Sequence, residues 1–418
     1  MGGIGGNYRG MVSAMLNGFA TPNSMQTSKL SRRNFTKLGA AAAAGFALPS
    51  CSSKKEEGAA KAESRDKSLN ILCWEGYNSD NVLNPFREMH PGIDLKAESG
   101  TDDPSMINKL RAGEIKVWDL INLNQCWARQ QMWGEKLIKP LDKKRFEPYI
   151  EKMMPMFYNK EMGINPFALS PDGKELIGMM QRFGPMNFVV NTKKISKQLA
   201  EDEGLPMFLD PKMKGKFGLL AWDNWNVLHM CVASGFTPYK THTPEEVEKF
   251  KQTAMTLFSN AAMIGADPAQ LNQALINGEI DAIFSGGIYT CSVARKEGFN
   301  EVLHISPKSG PVNGKGSLQW FEVTSVVNNP NVSPLAEDFL EYVQKPDICH
   351  TVAMADASHN PVTQMSQPEV FAKFTKEELN CFQWDTLEEE MSRSADYETI
   401  PDNDLLTSIY NEAKRTRA

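Results

Sequence analysis

The sequence predicts an α/β protein built from two parallel-sheet lobes. Three observations carry this. Short apolar strands alternate with amphipathic helices from residue 69 onward, and the same alternation resumes after residue 217. Two extended apolar pieces, 188–191 and 319–327, stand where a chain must cross from one lobe to the other and return. Alternation of this kind implies a parallel sheet covered by helices.

In the first lobe, residues 69–73 read as a strand, and Val82, Phe86 and Met89 recur at helical spacing until His90-Pro91-Gly92 stops the helix. Residues 93–97 form the second strand. Asp103-Pro104 is a cap with proline in the first turn, opening a helix that ends at Gly113. A strand at 117–123 and a helix at 125–132 complete the unit. In the second lobe a strand at 217–221 precedes Thr243-Pro244-Glu245-Glu246, a capping box that starts a long helix. Asp267-Pro268 caps another helix, which Asn277-Gly278 ends. A strand at 280–284, a helix at 288–297 stopped by Gly298, and a strand at 302–305 follow. From residue 333 the pattern is helical, and no internal repeat is visible.

Composition is ordinarily globular, with 41% hydrophobic and 23% charged residues, enough to bury a core in the roughly 350 residues that follow position 68. The net charge of −6 excludes the basic footprint that nucleic-acid binding needs. Of seven cysteines, six lie beyond residue 51, widely spaced and without a CxxC pair, which predicts buried single thiols and no zinc ribbon.

The segment Ser31-Arg32-Arg33-Asn34-Phe35-Thr36-Lys37, followed by an Ala-rich apolar run, resembles a twin-arginine export signal. Its Leu48-Pro49-Ser50-Cys51 ending resembles a lipobox, in which Cys51 is lipidated. The run is about a dozen residues, and a spanning helix needs about twenty. Met25 would open a signal of normal length. Residues 1–51 are therefore expected to act as an export signal and 52–68, rich in Lys, Glu, Ala and Ser, as a flexible tether. The expected location is the periplasm, with the protein tied to a membrane through Cys51.

In open parallel sheets ligands bind beyond the carboxyl ends of the strands. The loops there are rich in aromatics: Trp74, Tyr77, Trp127, Trp222, Trp225 and Tyr289, with Trp320 and Phe321 on the returning strand. Acids sit among them: Glu75, Asp102, Asp103, Asp223 and Glu322. Ring faces attract cations by about 0.5–2 kcal/mol per contact, and carboxylates add counter-charge. A cleft walled by both suits a small organic cation.

The order of these pieces resembles the periplasmic spermidine/putrescine-binding proteins of ATP-binding-cassette (ABC) importers. The matching segments are Trp74-Glu75-Gly76-Tyr77, Pro91-Gly92-Ile93, Lys109-Leu110-Arg111-Ala112-Gly113, Trp118-Asp119-Leu120-Ile121 and Leu137-Ile138-Lys139-Pro140-Leu141-Asp142. Further on come Asp210-Pro211-Lys212-Met213-Lys214-Gly215-Lys216, Asn277-Gly278-Glu279-Ile280-Asp281 and Lys345-Pro346-Asp347. The resemblance implies a two-lobed, type II periplasmic binding fold with hinge strands, divided as 69–187 plus 313–418 and 188–312. It implies a monomer that hands its solute to a permease and an ATPase, with no cofactor and no metal of its own. By position, Trp74 and Tyr77 match the first ligand loop, and Trp127 falls near a third-strand aromatic. Asp223 matches an acid of the second lobe, Phe284 an aromatic, and Trp320 with Glu322 a Trp-x-Asp segment. The expected ligand-binding set is thus Trp74, Glu75, Tyr77, Asp102, Trp127, Trp222, Asp223, Trp225, Phe284, Trp320 and Glu322.

Three acids common in that family are replaced here, by Gly76, by Asn226 and by the run Ser285-Gly286-Gly287, while Trp222 and Trp225 are added. An unpaired buried ammonium is strongly unfavourable. A shorter diamine, a monoamine or a methylated cation is therefore expected over a long polyamine. An exported enzyme is the alternative from another class. The sequence has no HExxH, GxSxG, P-loop or Rossmann glycine signature, and its six histidines are scattered. A metal-binding relative would call for adjacent tyrosines, and the chain has no Tyr-Tyr pair.

Overall fold

In the computed structural model, residues 65–100, 102–355 and 358–417 are described. The twin-arginine segment and Cys51 lie outside them. Twelve strands appear in the described residues: β1 (Ser68–Cys73), β2 (Asp94–Ser99), β3 (Leu120–Asn124), β4 (Tyr158–Asn159), β5 (Gly163–Ile164), β6 (Met179–Asn191), β7 (Phe217–Leu220), β8 (Met263–Gly265), β9 (Ala282–Gly287), β10 (Val302–Ile305), β11 (Ser317–Val326) and β12 (Ser394–Asp396). Strands β4 and β5 make a separate small hairpin. The others form one mixed sheet whose main path runs β2-β1-β3-β11-β6-β9-β7-β8.

Each end of this path is parallel: β2-β1-β3 at one end and β9-β7-β8 at the other. The two long strands β6 and β11 join them, antiparallel to each other and to β9 and β3 respectively, while the short β12 adds to β11 in parallel. This is the two-lobed binding-protein architecture: two parallel α/β units sharing a pair of long strands. All thirteen residues of β6 are buried, as in a strand covered on both faces, and its otherwise apolar sequence is interrupted by Gln181, Arg182, Asn187 and Asn191.

Local chemistry accounts for the helices. Thr243 and Glu246 cap the helix Pro244–Asn260 reciprocally, and Asp267 accepts from Gln270 N to open Pro268–Asn277, which Gly278 closes in the left-handed conformation. The helix expected at 125–132 is instead a π-helical turn, Trp127–Met132. The strand expected at 117–123 begins three residues later, because Glu114–Lys116 forms a 3-10 turn. Docked chain begins earlier than the expected tether boundary. Arg65 already pairs with Asp119, 2.8 Å away. The last helix, Asn403–Arg415, lies against Asp223–Ala233 and Pro244–Asn260. Its Tyr410 hydroxyl meets Asn226, and its Lys414 ammonium lies 3.0 Å from Asp223. No helix among the described residues is long and apolar enough to cross a membrane. The six described cysteines are all buried and free.

His229 is sealed between Asp223–Ala233 and the sheet, its Nδ1 2.8 Å from the Ser285 hydroxyl and its Nε2 facing the Met186 carbonyl. Burial pushes its pKa down to about 3 from an ordinary 6.5. The ring is neutral in the folded protein, whereas the unfolded chain takes up a proton below pH 6.5, so its contribution to stability is present above that value and lost as pH falls toward 3. Comparing thermal unfolding of the wild type with His229→Gln across this range should show the wild type losing ground by about 1.4 kcal/mol per pH unit. A constant gap between the two would remove His229 from the acid response.

Candidate functional site

A small chamber of about 200 Å³ opens where the loops after β1, β2, β7 and β9 meet the end of β3 and the long strands β6 and β11. It shares Trp74, Trp222 and Trp225 with an outer chamber of about 530 Å³. Its aromatic wall is continuous: Trp222 stacks on Tyr289 at 5.8 Å between ring centroids, and Tyr289 meets the Trp320 ring at 5.6 Å, edge to face. Strand alternation turns Trp320 and Glu322 into the chamber, while Phe321 between them packs on Phe157 and Phe167. The β6–β11 register shifts between Phe321 and Val323, a bulge of the kind that re-aims a side chain.

The chamber's chemistry is set by a buried ion pair. Arg182 of β6 donates to both carboxylate oxygens of Glu322, Nε to Oε2 at 2.9 Å and Nη2 to Oε1 at 2.6 Å. The Tyr77 hydroxyl donates to the same Oε2 at 2.9 Å, and the Arg182 guanidinium lies 4.8 Å from the Tyr77 ring centroid. All three residues are at most 3% exposed. Burial raises the Glu322 carboxyl, against the pull of the Arg182 charge. Burial also lowers Arg182, but the Glu322 carboxylate outweighs it and holds the guanidinium protonated. Tyr77 is pushed well up by burial and by the Glu322 charge.

Glu75 is the other acid of the chamber. It is half-buried and accepts from the Ser358 hydroxyl at 3.3 Å, with no basic side chain within ion-pair range among the described residues. Asn124 and Asn360 complete the polar lining. Behind Asn124, Asp103 accepts from its backbone N at 2.9 Å and from its Nδ2 at 2.8 Å. Burial lifts this carboxyl to about 7 against those two bonds.

Of the expected ligand residues, Trp74, Glu75, Trp222, Trp225, Trp320 and Glu322 line the inner chamber. Asp102 and Asp223 line only the outer one. Asp102 also caps the helix Asp103–Arg111 by accepting from Ser105 N. Asp223 accepts from the Tyr410 hydroxyl at 2.9 Å and from Lys414 Nζ at 3.0 Å, so its charge is already matched. Three residues stand elsewhere. Tyr77 lies beneath the chamber and positions Glu322. Trp127 faces a groove of about 590 Å³ that adjoins the outer chamber at Pro104, Asn224 and Tyr397, and it donates to the Tyr397 hydroxyl at 2.7 Å. Phe284 is fully buried, its ring edge-on to Phe208 at 5.3 Å, because its side of β9 faces the core.

The replaced acids have steric reasons. Gly76 holds φ +101°, and a Cβ there would stand 2.6 Å from Ala355 Cβ. A side chain at Gly287 would collide with the Tyr289 ring and stand 2.8 Å from the Pro185 carbonyl oxygen. Asn226 is buried, donating to the Leu220 carbonyl and the Tyr410 hydroxyl. Sequence reasoning missed Arg182, Asn124, Ser358 and Asn360. Arg182 carried a signal: it is the one charged residue in the apolar run of β6. Among the described residues no group of three or more His, Cys, Asp or Glu is placed to hold a metal.

A chamber at the loop ends between two parallel edges of one sheet, walled by rings and a few polar groups, is the layout of a solute-holding protein. Residues 81–378 match the family model described as bacterial extracellular solute-binding protein, and the chain belongs to that family. No curated protein matches the sequence. Solved structures share its fold. The spermidine/putrescine substrate-binding protein PotD of Streptococcus pneumoniae is 17% identical, with a TM-score of 0.61 over 84% of this chain and 100% of that one. The PotD lipoprotein Tp0655 of Treponema pallidum is 13% identical, with a TM-score of 0.62 over 83% and 99%. Ferric ion-binding protein A of Pasteurella haemolytica is 16% identical, with a TM-score of 0.52 over 84% and 96%.

Proposed function

We propose that this chain is the extracytoplasmic receptor of an ABC-type importer and captures a small organic cation, a polyamine or related amine. The observation that carries the reading is the inner chamber itself, in which Trp74, Trp222, Tyr289 and Trp320 surround a carboxylate, Glu75, that has no basic partner among the described residues. An ammonium group there gains ring-face attraction and a charge-assisted bond together. Trp74 and Glu75 follow β1 at one end of the sheet, while Trp222 follows β7 and Tyr289 follows β9 at the other. A solute touching both sides favours the closed arrangement by its differential affinity, and that arrangement is what a permease would recognise. The sequence-based division, 69–187 plus 313–418 and 188–312, is revised: residues 376–393 and the last helix go with 188–312, because Asn380, Gln383, Glu390 and Arg393 bond to Arg295, His304 and Glu201.

The Streptococcus and Treponema neighbours carry spermidine/putrescine or PotD names, which accords with an amine solute. The twin-arginine segment and Cys51 support export and tethering by lipid, in keeping with the Treponema lipoprotein. A thermal-shift screen of monoamines, diamines, polyamines, betaines and neutral sugars tests the ligand class. Amines should raise the unfolding temperature by several degrees, as about 100-fold saturation adds about 2.7 kcal/mol. Stabilisation by neutral or anionic solutes alone would refute the reading.

A further inference from the structure

Resting on the cation reading above, we infer that the inner chamber selects a solute with a single positive charge and an acceptor oxygen, because Arg182 already occupies the place of a second ammonium. Glu322 and Tyr77 are the acid and aromatic pair that would hold such a group. Both are engaged by the guanidinium: Glu322 through two bonds at 2.9 and 2.6 Å, Tyr77 through its ring face at 4.8 Å. Arg182 is 1% exposed and cannot swing into water without dismantling the β6–β11 contact. Among the described residues Glu75 is then the one unneutralised carboxylate of the chamber, matching one ammonium. A diamine held within the inner space of about 200 Å³ would bring a second charge there with no further acid among the described residues lining it.

Residues lining the chamber also carry buried polar atoms with no hydrogen-bond partner among the described residues: three pure donors, Trp74 Nε1, Trp320 Nε1 and Arg182 Nη1, the Tyr289 hydroxyl, and one acceptor, Asn360 Oδ1. Buried donors of this kind are costly unless bonded. A hydroxyl on the solute can both accept from the three pure donors and donate to Asn360 Oδ1, whereas a second ammonium, which only donates, leaves those three donors unmet.

Calorimetric titration of the wild-type protein with 4-amino-1-butanol, butylamine and 1,4-diaminobutane tests this, with the two- and six-carbon counterparts run alongside. The amino alcohol of the best-fitting length should bind about tenfold or more tighter than the diamine, and several-fold tighter than the plain amine. In Trp320→Phe, which keeps the ring and removes the N–H, the advantage of the alcohol over the plain amine should shrink. A diamine that binds as tightly as its amino alcohol overturns the inference and leaves the cation reading standing. An alcohol with no advantage over the plain amine overturns the acceptor-oxygen half. If no amine binds while another solute class does, the cation reading itself falls, and the inference with it.

Discussion

Arg182→Met should destabilise the protein by about 3–5 kcal/mol, measured as a lowered urea midpoint. The size of the effect comes from what is left behind. Arg182 and Glu322 are almost fully buried, and the guanidinium is the partner that holds the carboxylate ionised there. Removing it strands a charge in the sheet, with the Tyr77 hydroxyl as the remaining close donor. Glu322→Gln should cost a comparable amount, for it strands the guanidinium. The double variant Arg182→Met/Glu322→Leu should be far less damaged than the sum of the two, since apolar replacement of a whole buried pair is often close to neutral. Additive losses in this cycle would mean that the pair is not the energetic unit described.

Glu75→Gln should weaken amine binding about tenfold or more, a loss of at least about 1.4 kcal/mol, with little change in unfolding midpoint. Asp223→Ala should change affinity less than about threefold. The contrast follows from charge matching. Both acids follow strands, and by sequence both belong to the expected ligand set, with Asp223 matching an acid of the second lobe. In the fold its carboxylate is already bonded to Tyr410 and Lys414 of the last helix, whereas among the described residues Glu75 has the Ser358 hydroxyl alone. Calorimetry on both variants with one amine distinguishes the two. Equal losses would make the outer chamber part of the binding site.

The architecture was legible because its signals are local. Caps at Thr243 and Asp267, and at Asp102 one residue before the expected Asp103, together with the apolar periods between them, specify helices and strands one at a time. The aromatic wall was legible for a similar reason: Trp74, Trp222 and Trp225 sit at or just beyond strand ends, where a parallel sheet puts its ligands. What failed depended on side-chain direction or on distant partners. Phe284 lies on the right strand, but alternation turns it into the core. Trp127 lies on a π-helical turn that aims its indole at Tyr397, 270 positions away in sequence. Tyr77 and Glu322 were placed correctly in the chain, yet their charge and ring are claimed by Arg182, 140 positions from Glu322. No spacing rule links those residues. A lone arginine in an apolar strand did call for a buried acid, and Glu322 in the neighbouring crossing strand was the nearest candidate.

A crystal structure of the protein with the amine that stabilises it most would test the central claim directly. The account places the ammonium nitrogen within ion-pair distance of the Glu75 carboxylate, against the faces of Trp74 and Trp222, with Arg182 still bonded to Glu322. An amine seated between Asp102 and Asp223, or in the groove beside Trp127, with Glu75 untouched, would contradict it.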